Sequence, residues 1–387
     1  MNTGVIYLDH HSSTPVDPRV VQAMMPFWTE NTANPSNPYH PLGRRAADAV
    51  ETAREQVAML IGAKRTEIVF TCGATESNNI AILGTAMAHT GNRRQIVTCA
   101  IEHKSVLEPC RWLAERGYEV IILPVDSLGH VQLSALEQAV DENTLLVSIQ
   151  LANNEIGTLQ RMEVISRLVH ERGALLHCDG AQAVGKIPVN VEHLYLDMLS
   201  ISAHKLYGPK GAGALYVRGG ARRARLQPLM FGGGQEWSLR PGTLNVPAIV
   251  GFGEACRICH EQMPEEATRV GKLRDRLEQL LKERIPSLQY NGDPSLRLPN
   301  NSSLTFPDVE ADALLLNLPD VALSTGSACT AGAMEPSHVL QAIGLSREQS
   351  YRTIRVGLGR FNTEEEIERA AARIAEVYHR VGAIGER

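Results

Sequence analysis

The sequence predicts an α/β protein in which a large domain with a mostly parallel central sheet is followed by a smaller α+β domain. Two observations carry this expectation. Short apolar runs alternate with helical patterns from about residue 50 to residue 220, and the pattern changes after a long charged helix that stops at Ile285-Pro286. Repeated strand, helix, strand order produces a parallel sheet covered on both faces. A chain of 387 residues with 43% hydrophobic content can bury cores of this size.

The runs 67–71, 95–98, 120–123, 145–149, 175–178 and 199–201 read as buried strands. Between several of them, stretches such as 104–116 and 163–172 repeat apolar residues at helical spacing. A helical pattern from Gly251 to Glu265 precedes the charged helix from about Glu265 to Arg284. Beyond it come a strand at 302–306, a helix near 311–316, a strand over 351–356 and a terminal helix from about Thr363. The expected division assigns 16–262 to the large domain, and 1–15 with 263–387 to the small one.

Net charge is −5, with acidic and basic residues interspersed, so neither a nucleic-acid footprint nor a polybasic membrane patch is expected. The N-terminal residues lack a basic segment followed by an apolar one, and no run approaches about 18 apolar residues. The expected location is the cytoplasm. Seven cysteines in such a chain argue against a disulfide framework. Cys256-Arg257-Ile258-Cys259-His260 matches a haem-attachment string but continues a helical pattern, and reads as a pair of helix side chains. No metal site is expected.

Ligands of parallel sheets bind beyond the carboxyl ends of strands. Lys205 follows such a strand in Ser202-Ala203-His204-Lys205. It either carries its ammonium to water or serves as an amine that forms a Schiff base with an aldehyde such as pyridoxal phosphate. Ser202 and His204 are donors suited to a phosphate. The stretch Thr71 to Asn79 places small residues before a helix, where backbone N–H groups can close on an anion or simply be capped. His103 could lie against a ring or cap a helix. Asp179 could cap a helix or hold a pyridinium nitrogen protonated. Asp179, Gln182 and Lys205 sit at the ends of consecutive strands and could converge on one ligand.

With these strings in place, the chain resembles cysteine desulfurases of the NifS/IscS type, pyridoxal phosphate enzymes of fold type I. The resemblance rests on YLDHHSSTPVDP, TCGATESNN, EHKSV, NNEIG, HCDGAQAVGK, SAHKLYGPKGAGALYVR, GGGQEWSLRPGT, STGSACTAG with EPSHVL, and RVGLGRF, and covers nearly the whole chain. It implies that Lys205 is the Schiff-base lysine, that His103 stacks on the pyridine ring and assists proton transfer, and that Asp179 meets the ring nitrogen. Gln182 would meet the phenolic oxygen, with Asn154 beside it and the substrate. Ala74, Thr75, Ser202 and His204 would hold the phosphate, with Thr243 reaching in from the second subunit of a homodimer. Arg355 would clamp the substrate carboxylate with its planar fork.

Cys329 lies among small and polar neighbours, which suit an exposed, mobile loop rather than a core strand. The resemblance makes it the nucleophile that takes sulfur from L-cysteine. It also implies a loop long enough, from about Leu323 to Glu335, to hand sulfur to an acceptor such as an iron–sulfur scaffold, with an iron–sulfur cluster held transiently at Cys329. Other pyridoxal phosphate chemistry, such as transamination, has no use for Cys329, and a non-catalytic sulfur carrier has none for Lys205. The chain departs from the family pattern at Cys72, which places a second thiol near the phosphate loop, at His10-His11, and at the segment from Asn34 to His40.

Overall fold

Each of the six apolar runs forms a strand within one residue of its expected bounds. The structure is a computed structural model that describes residues 4–222, 225–326 and 335–385, so Cys329 lies outside the described residues. Seven strands form the large sheet, in the order Ile68–Thr71, Gly213–Val217, Met198–Ser202, Leu175–Asp179, Thr144–Ser148, Gln95–Cys99 and Glu119–Leu123. All run parallel except Gly213–Val217, which is antiparallel to both neighbours. The inner strands are buried, apart from Leu175 at the start of its strand, because helices cover both faces, and the edge strand Glu119–Leu123 is largely open to solvent.

Gly213–Val217 is the strand that the sequence reading lacks. Its glycine start dilutes the apolar signal, and the fold needs that glycine. A Cβ on Gly213 would stand 2.5 Å from the Cα of Gly73 and 2.6 Å from the carbonyl oxygen of Ile201, so a side chain there would push the turn at Gly73 away from the sheet.

The helical patterns at 104–116 and 163–172 become Lys104–Ala114 and Met162–Glu171. Two other expectations are corrected. The pieces read as 251–265 and 265–284 form a single helix, Val246–Arg284, that continues through Pro264. Its first part buries Ile249, Phe252 and Ile258 in the core of the large sheet, and its last part buries Val270, Leu277 and Leu281 in a second core. The chain therefore passes from one core to the other inside a helix rather than a linker. The strand expected over 351–356 starts two residues later, as Thr353–Gly357, because Tyr351 ends a short helix, Arg347–Tyr351. Cys256 and Cys259 are fully buried in the long helix, as side chains of a helix pair.

The second core packs under an antiparallel sheet ordered Ser324–Thr325, Thr353–Gly357, Asn301–Thr305 and Gln289–Asn291. The N-terminal strand Ile6–Tyr7 pairs in parallel with Val321–Ala322, and Leu8 is buried in the same core. Residues 9–14 then cross to the ends of the large-sheet strands. Among the described residues no helix is long and apolar enough to cross a membrane.

Candidate active site

A cavity of about 550 Å³ opens where the strands Ile68–Thr71, Leu175–Asp179 and Met198–Ser202 end. Ala74, Thr75, His103, Asn154, Asp179, Gln182, Ser202, His204, Lys205 and Arg355 all line it. Among the site residues expected from the sequence, Thr243 is exposed and outside this lining, and Cys329 lies outside the described residues.

One end of the cavity is built for an anion. Gly73 adopts φ 153° and ψ 177°, a conformation essentially restricted to glycine, and starts the helix Ala74–Ala88 without a side-chain cap. The first N–H groups of that helix keep their hydrogen-bonding capacity and carry the positive end of its dipole. Ser202 and His204 face the same end. Burial, reinforced by Lys205 and Lys210, lowers His204 to about 4, so near neutral pH it acts as an uncharged imidazole. Cys72 lines the cavity beside this turn.

The middle of the cavity carries a network that the sequence reading did not anticipate. Asp179 is 8% exposed and accepts the backbone N–H of Ala181 at 2.9 Å and an N–H of Asn78 at 2.7 Å. The other N–H of that amide donates to Ser105 Oγ at 2.8 Å, and Ser105 Oγ lies 2.7 Å from His103 Nδ1. His103 Nδ1 also accepts the backbone N–H of Ser105 at 3.1 Å, which makes His103 the N-cap of the helix Lys104–Ala114. Since Nδ1 is an acceptor there, the imidazole proton sits on Nε2. His103 therefore both caps a helix and lines the cavity. The clue to Asn78 was its place in TCGATESNN, one helical turn beyond the anion-binding residues.

Lys205 ends the short turn Ala203–Lys205 after its strand. Its amine donates to the carbonyl oxygen of Ser12 at 2.9 Å and to that of His11. Gln182 lies beside it, and its amide bonds both to the His11 side chain, at 3.0 Å, and to the His11 carbonyl oxygen, at 3.0 Å.

Arg355 projects from Thr353–Gly357 and is 4% exposed. Its Nη2 reaches Asp9 at 3.1 Å, Ser12 Oγ at 2.7 Å and Ser324 Oγ at 2.9 Å, while Nη1 donates to the Asn154 carbonyl at 3.0 Å. Among the described residues its Nε has no hydrogen-bond partner. The guanidinium is thus held in one orientation at the wall of the cavity by groups from three separate parts of the chain. A second cavity, of about 620 Å³, shares His103 and Asn154 with the first and extends to Gly326 and Ser337, either side of the segment that carries Cys329.

The donor set fits pyridoxal phosphate. An uncapped helix start with a hydroxyl and an imidazole suits the phosphate, a buried carboxylate suits a pyridinium nitrogen, and Lys205 supplies the amine.

Comparison with known proteins agrees with this geometry. The model of the aminotransferase class-V family matches residues 6–370. Cysteine desulfurase IscS of Rickettsia typhi is 46% identical over 365 residues, covering 94% of this chain and 89% of that one. Cysteine desulfurase IscS of Anaeromyxobacter sp. strain Fw109-5 is 46% identical over 371 residues, covering 96% and 92%. Among solved structures, a NifS-like protein superimposes with a TM-score of 0.91 at 39% identity, covering 97% of this chain and 99% of that one. SspA in complex with cysteine superimposes with a TM-score of 0.83 at 39% identity, covering 92% and 100%. Fold, cavity and relatives agree: the chain belongs to the aminotransferase class-V family, among its pyridoxal phosphate-dependent cysteine desulfurases.

Proposed function

We propose that Lys205 activates L-cysteine and that Cys329 takes its sulfur, giving L-alanine and a persulfide on Cys329. The observation that carries this reading is the meeting of Lys205, His103, Asp179 and the Gly73 turn with Arg355 and Asn154 in one cavity. When bound, pyridoxal phosphate supplies an aldehyde that condenses with amines and a ring that withdraws electrons from the α-carbon. Asp179 holds a proton at the ring nitrogen, and Asn78 and the Ala181 N–H keep that carboxylate in place. Arg355 binds the substrate carboxylate.

Lys205, at the end of its strand in the cavity, would take the α-proton of the substrate. His103, with its proton on Nε2, serves the later proton transfers. Cys329 attacks as the thiolate: an S–S bond forms, the C–S bond breaks, and its electron pair remains on carbon, which takes a proton to become the alanine methyl group. The outer sulfur then passes to an acceptor protein such as an iron–sulfur scaffold in the cytoplasm. Thr243, exposed and outside the lining of its own cavity, completes the phosphate site of a second copy in a homodimer. The exposed Met230 and Phe231, 49% and 81% accessible, give that face apolar area to cover.

Cys329→Ser is expected to keep the cofactor's visible absorbance while releasing no sulfide from cysteine. Undiminished sulfide release would remove Cys329 from the mechanism.

A further inference from the structure

Gln182 and Lys186 are four residues apart across consecutive turns, with Gly185 at φ 80° between them. The Ala183 and Val184 N–H groups donate to Gly180 O at 3.0 and 2.9 Å, and the Lys186 N–H donates to Ala183 O at 3.0 Å. Across these turns Lys186 Nζ donates to Gln182 Oε1 at 3.1 Å. His11 Nδ1 lies 3.0 Å from the same oxygen. His11 Nε2 stands 3.2 Å from Asn301 Nδ2, an N–H donor, so His11 carries its proton on Nδ1 and donates it to Oε1. On the other side of the amide, Gln182 Nε2 donates to the His11 carbonyl at 3.0 Å.

An amide has two acceptor positions and two N–H groups. At Gln182 both acceptor positions and one N–H are taken, so the capacity left to the cavity is a single N–H. A flipped amide would set Oε1 against the His11 carbonyl and its NH₂ against two donors. Lys186 is 7% exposed and does not line the cavity, so its hydrogen bond reaches the cavity through Gln182, while its charge also acts on Lys205, which Lys186→Arg retains. Burial, and after it the charge of Lys205, lowers the Lys186 ammonium to about 7, and in either protonation state the amine keeps at least two N–H donors.

We propose that Lys186 is a positioning residue that, with His11, locks Gln182 in the amide orientation able only to donate to the bound cofactor. The proposal rests on the cofactor reading of this cavity. An N–H donated to the phenolate oxygen favours the deprotonated chromophore, so losing the lock raises the pH at which the chromophore titrates.

The test is a spectrophotometric pH titration of the holoenzyme without substrate. Lys186→Met is expected to move the midpoint upward by about half a unit to one unit, the size that a single hydrogen bond carries. Lys186→Arg, which keeps donors at that position, is expected to titrate as the parent protein. His11→Phe, which removes the other Oε1 donor and keeps the carbonyl, is expected to move the midpoint in the same direction and provides a second reading should Lys186→Met not fold. Gln182→Leu separates two kinds of failure. If it shifts the titration while Lys186→Met and His11→Phe do not, the lock is wrong. If none of the three shifts it, the placement of Gln182 at the chromophore is wrong, and the lock falls with it.

Discussion

Ser337 donates its hydroxyl to Glu155 Oε2 at 2.6 Å, with both residues buried. A Cβ on Gly326 would collide with the same carboxyl oxygen. The two chain positions on either side of residues 327–334 therefore rest on one carboxyl group, directly after Asn154. Ser337 also caps the helix His338–Ala342 by accepting the N–H of Leu340 at 3.2 Å.

Glu155→Ala leaves the Ser337 hydroxyl without its acceptor and is expected to lower the unfolding free energy by about 1–3 kcal/mol. Gly326→Ala crowds the carboxyl and is expected to cost about the same. Urea denaturation measures both. Parent-like stability for Gly326→Ala would mean that the carboxyl yields freely.

Asn78 joins Asp179 to Ser105 and, through it, to His103. Asn78→Ala removes a hydrogen bond from a buried carboxylate and frees the serine that orients the imidazole. Kcat/KM for cysteine is expected to fall roughly tenfold to hundredfold, the kinetic equivalent of about 1–3 kcal/mol. Steady-state alanine production measures this, and unchanged kinetics would mean that Asp179 and His103 hold their places without Asn78.

Cys72 is exposed beside the anion-binding turn, but it is not poised as a second nucleophile. Partial desolvation of its thiol against the cavity wall, together with the Glu76 carboxylate, pushes it up to about 11, so it remains protonated near neutral pH. Its alkylation by iodoacetamide should be slow at pH 8 and accelerate as pH rises toward that value. Glu76→Gln removes the repelling charge and releases Arg240 from its 2.9 Å pair, and both changes favour the thiolate. Peptide mass spectrometry should then find Cys72 alkylated roughly threefold to tenfold faster at pH 8. A rate no higher than that of the parent protein would show that Glu76 does not govern the thiol.

Much of this protein was legible in its sequence. The strands of a sheet covered on both faces must be continuous apolar runs, so six of seven could be read within a residue. Asp179 stands directly after such a run and Lys205 and His103 within five residues of one, which is where parallel sheets present ligand-binding groups. The exceptions follow from physics that acts at a distance. Gly213–Val217 begins with a glycine chosen for the turn at Gly73, far away in the chain, and Val246–Arg284 is carried through Pro264 because its two faces are buried in two different cores.

The sequence by itself determined the chemistry: an amine, an acid, an imidazole and a thiol in a recognisable order. Only the tertiary structure decided how those groups are held. Asn78 fixes Asp179, Lys186 and His11 fix Gln182, and Asp9 and Ser324 fix Arg355. Apart from Lys186, four residues from Gln182, each partner comes from another part of the chain, and Asp9 lies 346 residues from Arg355. Apolar spacing reports burial one segment at a time, whereas the pairing of buried polar groups exists only once the segments have met.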